Sequence, residues 1–256
     1  MSKRVRKRIS NKKSRGPGSR GPAPTMSRAP RHLIDSFVAS LEDGCGHSAL
    51  QKAKNLTSCY PSDPLGWKGL GVVYKLQQQP RLALRPMLKA VTLDPKDAEA
   101  HNNLADTQRD CGMLLESLQS CKAALSLDPD YMEAYHNQAN ALSDLLQNEE
   151  AEQSYRQALE LRPTSAESLK GLANLLKNLG RNSEALSSIR SALSVSPGDL
   201  AALDTLLFIL NYDTAINPAD LFSEYEAYGE AVASAAKHRF EHDDRAPVGG
   251  RRIRIG

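Results

Sequence analysis

Between residues 64 and 199 the chain is a succession of short helical runs, each closed by proline. Pro61, Pro95, Pro129, Pro163 and Pro197 follow one another at intervals of 34 residues. Each stands at the end of a run such as Ala-Val-Thr-Leu-Asp-Pro95 or Ala-Leu-Glu-Leu-Arg-Pro163. Proline lacks an N–H and clashes with the preceding turn, so it stops a helix and sets up a turn. A fixed period in this range marks a repeat architecture.

Other positions keep the same phase when each unit is numbered from the third residue after its proline. Position 8 holds Gly71, Ala105, Ala139 and Ala173; position 20 holds Ala83, Ser117, Ala151 and Ala185; position 27 holds Ala90, Ala124, Ala158 and Ala192. Small side chains at fixed places let paired helices approach closely. Larger ones fill the spaces between: Trp67, Leu70, Tyr74, Leu104, Tyr135, Tyr155, Leu169 and Leu172. The pattern predicts A helices near 65–77, 99–111, 133–146 and 167–179, and B helices near 81–93, 115–127, 149–161 and 183–195. Gly112 and Gly180 fall in A–B turns, where a positive φ is useful. Pro80 fits before the first B helix, but Pro86 lies inside it and predicts a kink or a frayed turn. This arrangement resembles the tetratricopeptide-repeat (TPR) family over residues 64–199. The resemblance implies an all-α, right-handed solenoid of antiparallel helix pairs.

The expected units are 64–97, 98–131, 132–165 and 166–199, flanked by a degenerate capping repeat (32–63) and a degenerate terminal one (200–237). A solenoid needs such ends, because an internal unit leaves an apolar face bare. In the last unit, Leu203, Leu206, Leu207 and Leu210 begin an A helix, Asn211–Pro218 breaks the pattern, and Ala219–Lys237 resumes it.

Charge divides the chain further. Residues 1–31 carry eleven Lys or Arg and no acid, whereas residues 32–237 hold 17 basic and 27 acidic side chains. The first stretch has almost no large apolar residues and is expected to be disordered. Lys3-Arg4 and Arg6-Lys7-Arg8 could contact nucleic acid or serve as a nuclear address, against the plainer reading of a solvated tail. No run of about 18 apolar residues is present, and the basic start lacks an apolar core, so neither a membrane span nor a secretory signal is expected. Cys45, Cys59, Cys111 and Cys121 include no CxxC pair, which disfavours a metal cluster or redox motif. A reducing, cytoplasmic setting is the expectation.

The C-terminal stretch supports a narrower comparison. Leu206-Leu207-Phe208-Ile209-Leu210-Asn211-Tyr212, then Asn217-Pro218-Ala219-Asp220-Leu221-Phe222, is similar to the end of the TPR region in bacterial proteins of the O-linked N-acetylglucosamine transferase and SPINDLY type. His238–Gly249 reads as a polar linker, and Arg251-Arg252-Ile253-Arg254-Ile255-Gly256 as a lone strand. In that family such a strand opens the first catalytic lobe. The resemblance thus implies the TPR part of a transferase, either as a separate scaffold or as the acceptor-recruiting arm of a protein continuing past Gly256. It transfers no catalytic residue.

Binding chemistry is expected on the A helices, whose positions 2, 5, 6, 9, 12 and 13 line the concave face. In the transferase family, asparagines at position 6 hydrogen-bond an extended peptide. Asn103 and Asn137 match; Gly69, Gly171 and Thr205 do not. Asn140 and Asn174 at position 9, with Asp106, place further polar groups nearby. A carboxamide both donates and accepts, as a peptide backbone requires; the alternative is an ordinary solvated helix face. A clamp for a terminal carboxylate is disfavoured, because Val72 follows Lys68 where asparagine is needed and Thr205 follows Lys170 and Asn174. His238 and His242 lack a third metal ligand, His101 and His136 occupy unlike positions, and no nucleophile–base pair or phosphate loop stands out. No cofactor, metal or catalytic residue is expected.

Overall fold

The structure is a computed structural model that describes residues 28–43, 46–212 and 216–240, with side chains omitted at 42 and 235–240. Of the tail expected to be disordered (1–31), residues up to 27 lie outside the described residues, as do Cys45 and the linker and strand beyond residue 240. Residues 28–31 correct that expectation, since the Ala29 N–H donates to Asp63 Oδ2 at 2.7 Å and Arg31 opens the first helix. Twelve helices and no strand occur among those described: α1 (Arg31–Glu42), α2 (Gly46–Cys59), α3 (Pro64–Leu76), α4 (Pro80–Leu93), α5 (Ala98–Asp110), α6 (Leu114–Leu127), α7 (Met132–Asp144), α8 (Asn148–Leu161), α9 (Ala166–Asn178), α10 (Asn182–Val195), α11 (Leu200–Asn211) and α12 (Pro218–Phe240). Odd-numbered A helices and even-numbered B helices pack in sequential pairs. Successive A helices from α3 to α11 also touch one another, and successive B helices do not pack to that extent. That asymmetry curves the stack into a solenoid with the A helices inside.

Small residues set the spacing. The twelve positions picked out by the period, from Gly71 and Ala83 to Ala185 and Ala192, are all buried. A Cβ built on Gly71 would lie 2.7 Å from the Met87 methyl carbon, so an alanine here would require the Met87 side chain to shift. Where Ser117 replaces alanine, its hydroxyl donates to the Ala105 carbonyl at 2.7 Å, which satisfies the buried oxygen.

Helix starts follow the same period. Asp63, Asp97, Ser165 and Asp199 precede α3, α5, α9 and α11, and their side chains accept from first-turn N–H groups at 3.0–3.3 Å. Each such cap contributes about 1 kcal/mol. Tyr131 holds the fifth place and makes no side-chain cap. The signal lies two residues after each proline.

A helices end in one recurring turn. Residues 78, 112, 146 and 180 all have positive φ, at 58°, 78°, 61° and 74°. Their N–H groups and those of the next residues donate back to the helix at 2.8–3.0 Å, the crossed pair of a Schellman turn. Gly112 and Gly180 adopt this conformation freely, whereas Gln78 and Leu146 adopt it against a steric penalty.

Two sequence expectations are modified. Pro80 is the first residue of α4, and the helix runs unbroken through Pro86, without a frayed turn. Pro86 is buried in the helix packing, so burial compensates the single backbone bond it forfeits. At the other end, α12 starts one residue earlier and runs three residues further than the expected 219–237.

Leu146 is 79% exposed and has little packing to lose. The left-handed penalty is about 1–2 kcal/mol, and glycine returns about 0.5–1 kcal/mol of it as chain entropy. Leu146→Gly is therefore expected to stabilise the protein by roughly 0.5–1 kcal/mol, and Gly112→Ala to destabilise it by a similar amount. Thermal melts of the two variants check this; a lower melting temperature for Leu146→Gly would contradict the turn assignment.

Candidate functional site in the concave groove

Inter-repeat ties dominate the inner surface. Position 5 of each A helix reaches towards the start of the next: Lys68 lies 2.9 Å from Asp97 and 2.8 Å from Glu99, and Lys170 lies 2.6 Å from Asp199. Hydrogen bonds from the lysines hold the Asp97 and Asp199 carboxyls below the usual range, although burial opposes this. At position 12, Lys75 pairs with Asp106 and Asp110, Arg109 pairs with Asp144 at 2.8 Å, and the Lys177 ammonium sits 4.8 Å from the centre of the Phe208 ring. These cations bridge neighbouring repeats, so Lys68 and Lys170 have no open charge for a terminal carboxylate.

The five predicted groove residues differ in how free they are. Asn103 on α5 is half-buried, and its carboxamide makes no hydrogen bond among the described residues. Asn137 on α7 donates to Asn102 Oδ1 at 2.8 Å, leaving its own carbonyl open. Asn174 accepts from Lys177 at 3.1 Å and from Thr205 at 3.2 Å, which leaves its amide nitrogen. Asp106 is ion-paired to Lys75. Asn140 is committed at both ends: it accepts from Tyr155 at 2.6 Å, and its nitrogen meets His136 Nε2 at 3.0 Å.

Two glycines interrupt the position-6 row for steric reasons. A Cβ on Gly69 would lie 2.6 Å from Phe37 Cε1, and one on Gly171 would lie 2.5 Å from Tyr155 Cε1. Aromatic rings from earlier helices thus occupy the places where asparagines would extend the row. The Tyr155 ring crosses from α8 to reach Asn140 and packs edge-on against His136 at 5.9 Å.

Around His136 the donors and acceptors form one consistent chain. Asn140 Nδ2 can only donate, so His136 Nε2 accepts, and Nδ1–H donates to Ser168 Oγ at 3.2 Å. Ser168 continues to Met132 Sδ at 3.8 Å. Burial pushes the Tyr155 hydroxyl up to about 12 and lowers the His136 pKa, so both stay neutral. A proton on Nε2 would face the Asn140 amino group and break the chain.

The ends of the groove are apolar. Phe37, Val38, Leu65 and Val72 line a hollow of about 340 Å³ beside Gly69. At the far end Phe208 on α11 and Tyr212 just after it have ring centres 4.9 Å apart and are about half and two-thirds exposed. Sequence reasoning did not identify these flanks, although Val72 and Phe208 occupy position 9 and were visible by phase. Among the described residues, no group of three or more His, Cys, Asp or Glu could hold a metal. His242 and the His238 side chain lie outside them. The Cys121 thiol is buried and pushed up to about 12, Cys59 is exposed, and no described helix is long and apolar enough to cross a membrane.

The depressed His136 pKa sets a sign for pH dependence. The unfolded chain takes up the proton first, so stability is present above the ordinary histidine pKa and falls as pH drops below it. Melting temperature is expected to fall between pH 7.5 and 5.5, and His136→Gln is expected to flatten that fall. An equally steep fall in the variant would show that His136 is not the group responsible.

One tetratricopeptide-repeat family model matches residues 87–119 and 154–187, and a second matches residues 133–165. No curated protein matches the chain in sequence. Among solved structures, TTC0263, a thermophilic TPR protein of Thermus thermophilus, is 23% identical over 71% of this chain and 98% of its own, with a TM-score of 0.61. PilF of Pseudomonas aeruginosa is 16% identical, covering 83% and 92% of the two chains, at 0.62. PilW, a type IV pilus biogenesis factor, is 18% identical over 84% and 94%, at 0.65. These likenesses establish the architecture: this chain carries tetratricopeptide repeats stacked as a right-handed all-α solenoid.

Proposed function

We propose that this chain is a protein-interaction scaffold that holds an extended peptide segment in its concave groove. The observation that carries the reading is the unengaged Asn103 carboxamide, beside the open Asn137 carbonyl on the next A helix. Together they offer a donor and two acceptors to a backbone passing across α5 and α7. The hollow beside Phe37 and the Phe208–Tyr212 pair supply apolar contacts at the two ends. Asn140 serves the scaffold itself, because its groups are consumed within the repeat stack.

Within this reading, the scaffold is the TPR part of an O-linked N-acetylglucosamine transferase-like protein. The support is the sequence resemblance at Leu206–Phe222 and His238–Gly256. In the alternative, the chain is the acceptor-recruiting portion of an active transferase. The mass of the native protein separates them: about the 28.0 kDa of this sequence fits a free-standing scaffold, and a much larger mass fits the transferase arm.

Unstructured peptides selected from a random display library provide a probe. Each lost carboxamide contact costs about 1 kcal/mol, so Asn103→Ala with Asn137→Ala is expected to weaken the selected peptides roughly 10- to 100-fold. The melting temperature should change far less than in Leu104→Ala, which empties part of the core. Undiminished peptide binding, or a loss of stability matching Leu104→Ala, would refute the groove assignment.

A further inference from the structure

One core position breaks the repeat on the side of the A helices that faces away from the groove. The seventh residue of the A helices from α3 to α11 is Leu70, Leu104, Gln138, Leu172 and Leu206 in turn, and all four leucines are buried. Gln138 is partly uncovered and lines a cleft of about 490 Å³ between α6 and α8. Its Oε1 accepts from Ser154 at 3.4 Å, and its amide nitrogen has no partner among the described residues. A carboxamide in a leucine place costs free energy unless its groups are used. The rim of the cleft departs from the repeat as well. In the following unit the corresponding places tie α8 to α10: Glu152 meets Arg181 at 2.6 Å, and Arg156 lies 3.7 Å from Glu184. At the cleft those four places hold Leu118, Gln147, Lys122 and Glu150. The first two cannot form an ion pair, and Lys122 and Glu150 form none among the described residues, so the latch is missing where the cleft opens.

We propose that this cleft is a binding site for a short peptide with free ends, held as a zwitterion. Lys122 on α6 supplies a cation for the ligand's carboxylate, and Glu150 on α8 supplies an anion for its ammonium group. Because the two charges belong to different walls, a ligand of both signs engages both, whereas a simple anion or cation is repelled by one of them. The Gln138 amide nitrogen and the Gln147 and Gln153 carboxamides supply the donors and acceptors that a peptide bond requires. Tyr135 and Leu142 on the α7 floor, with Leu118 on α6, offer apolar contact to a side chain. A volume of about 490 Å³ is in the range of drug-sized ligands, larger than a single amino acid. Tyr135, Gln138 and Leu142 occupy positions 4, 7 and 11 of α7, apart from the positions that line the groove. The site is therefore separate from the groove and does not depend on what the groove binds.

Alanyl-leucine, leucyl-alanine and alanyl-tyrosine, each with free ends, are the probes, titrated calorimetrically into the full chain. At least one is expected to bind with a Kd below about 1 mM, and its acetylated, amidated form about 10-fold more weakly or worse. Gln138→Leu, which restores the residue of the other four units, should weaken binding about 10-fold or more while the melting temperature holds or rises. Leu118→Glu with Gln147→Arg, which copies the tie between α8 and α10, should close the cleft and abolish binding. Asn103→Ala with Asn137→Ala should leave it unchanged. No binding of any probe at millimolar concentration, equal binding of the capped form, or wild-type binding by Gln138→Leu would overturn the proposal. Binding lost in the Asn103 and Asn137 variant would place the peptide in the groove and overturn it as well.

Discussion

The turn that ends α3, α5, α7 and α9 controls the rest of the solenoid. With the residue at 78, 112, 146 or 180 in the left-handed region, the last A-helix carbonyls are satisfied and the chain reverses in three residues. Every B helix from α4 to α10 then begins at the same distance from its A helix. Alanine can meet alanine at the small positions only because that distance is fixed. One residue more or less would rotate the B helix by about 100° and turn its small stripe away. That Leu146 accepts a left-handed conformation shows how strongly the packing on both sides dictates the turn.

Where the register is fixed, polar side chains can work across repeats. The same two A-helix positions, 5 and 12, are used again and again to bridge to the next unit, by lysine– or arginine–carboxylate pairs where both partners are charged and by lysine over an aromatic ring at the end. Pairs this accessible to water contribute modestly one by one. Their larger consequence is to consume the groove's cations and most of its carboxylates. The groove is thereby left with little uncompensated charge, and carboxamides become its distinctive chemistry. A surface of this kind suits a peptide backbone better than a terminal carboxylate or a nucleic acid.

Much of this was legible in the sequence, and the boundary has physical causes. Proline and the small residues declare the period because their backbone and steric effects are local and hold in any context. The caps at Asp63, Asp97 and Asp199 went unread although they too are local, standing two residues after their prolines. The division among the groove asparagines was not legible. Asn103 and Asn140 are the same residue type on the same kind of helix face, and they differ because Tyr155 crosses from another helix to one of them. That crossing depends on Gly171, 31 positions beyond Asn140. Pro86 was legible as an interruption and misleading as a break, because its burial depends on neighbours that local rules do not include.

The two ends of the stack obey different rules, and the difference follows from how a solenoid is built. Each unit covers the stripe of the one before it, so the first helix needs a mainly polar outer face, and on α1 the exposed Arg31, His32, Asp35 and Ser36 accompany Leu33 and Val38, which are also exposed. The last B helix has no such solution unless its stripe is rewritten as polar. In α12 it has been rewritten only in part. Glycine replaces the leucine found at the twelfth place of α10, but Phe222 and Tyr225 keep the bulk of the residues they succeed, Leu186 and Ile189. A stripe meant only to face water would gain from losing both aromatic rings, since each exposes apolar surface worth about 25 cal/mol per Å². Retaining them beside a glycine leaves α12 with an apolar stripe that no other described element covers, where the earlier B helices are each covered by the next A helix.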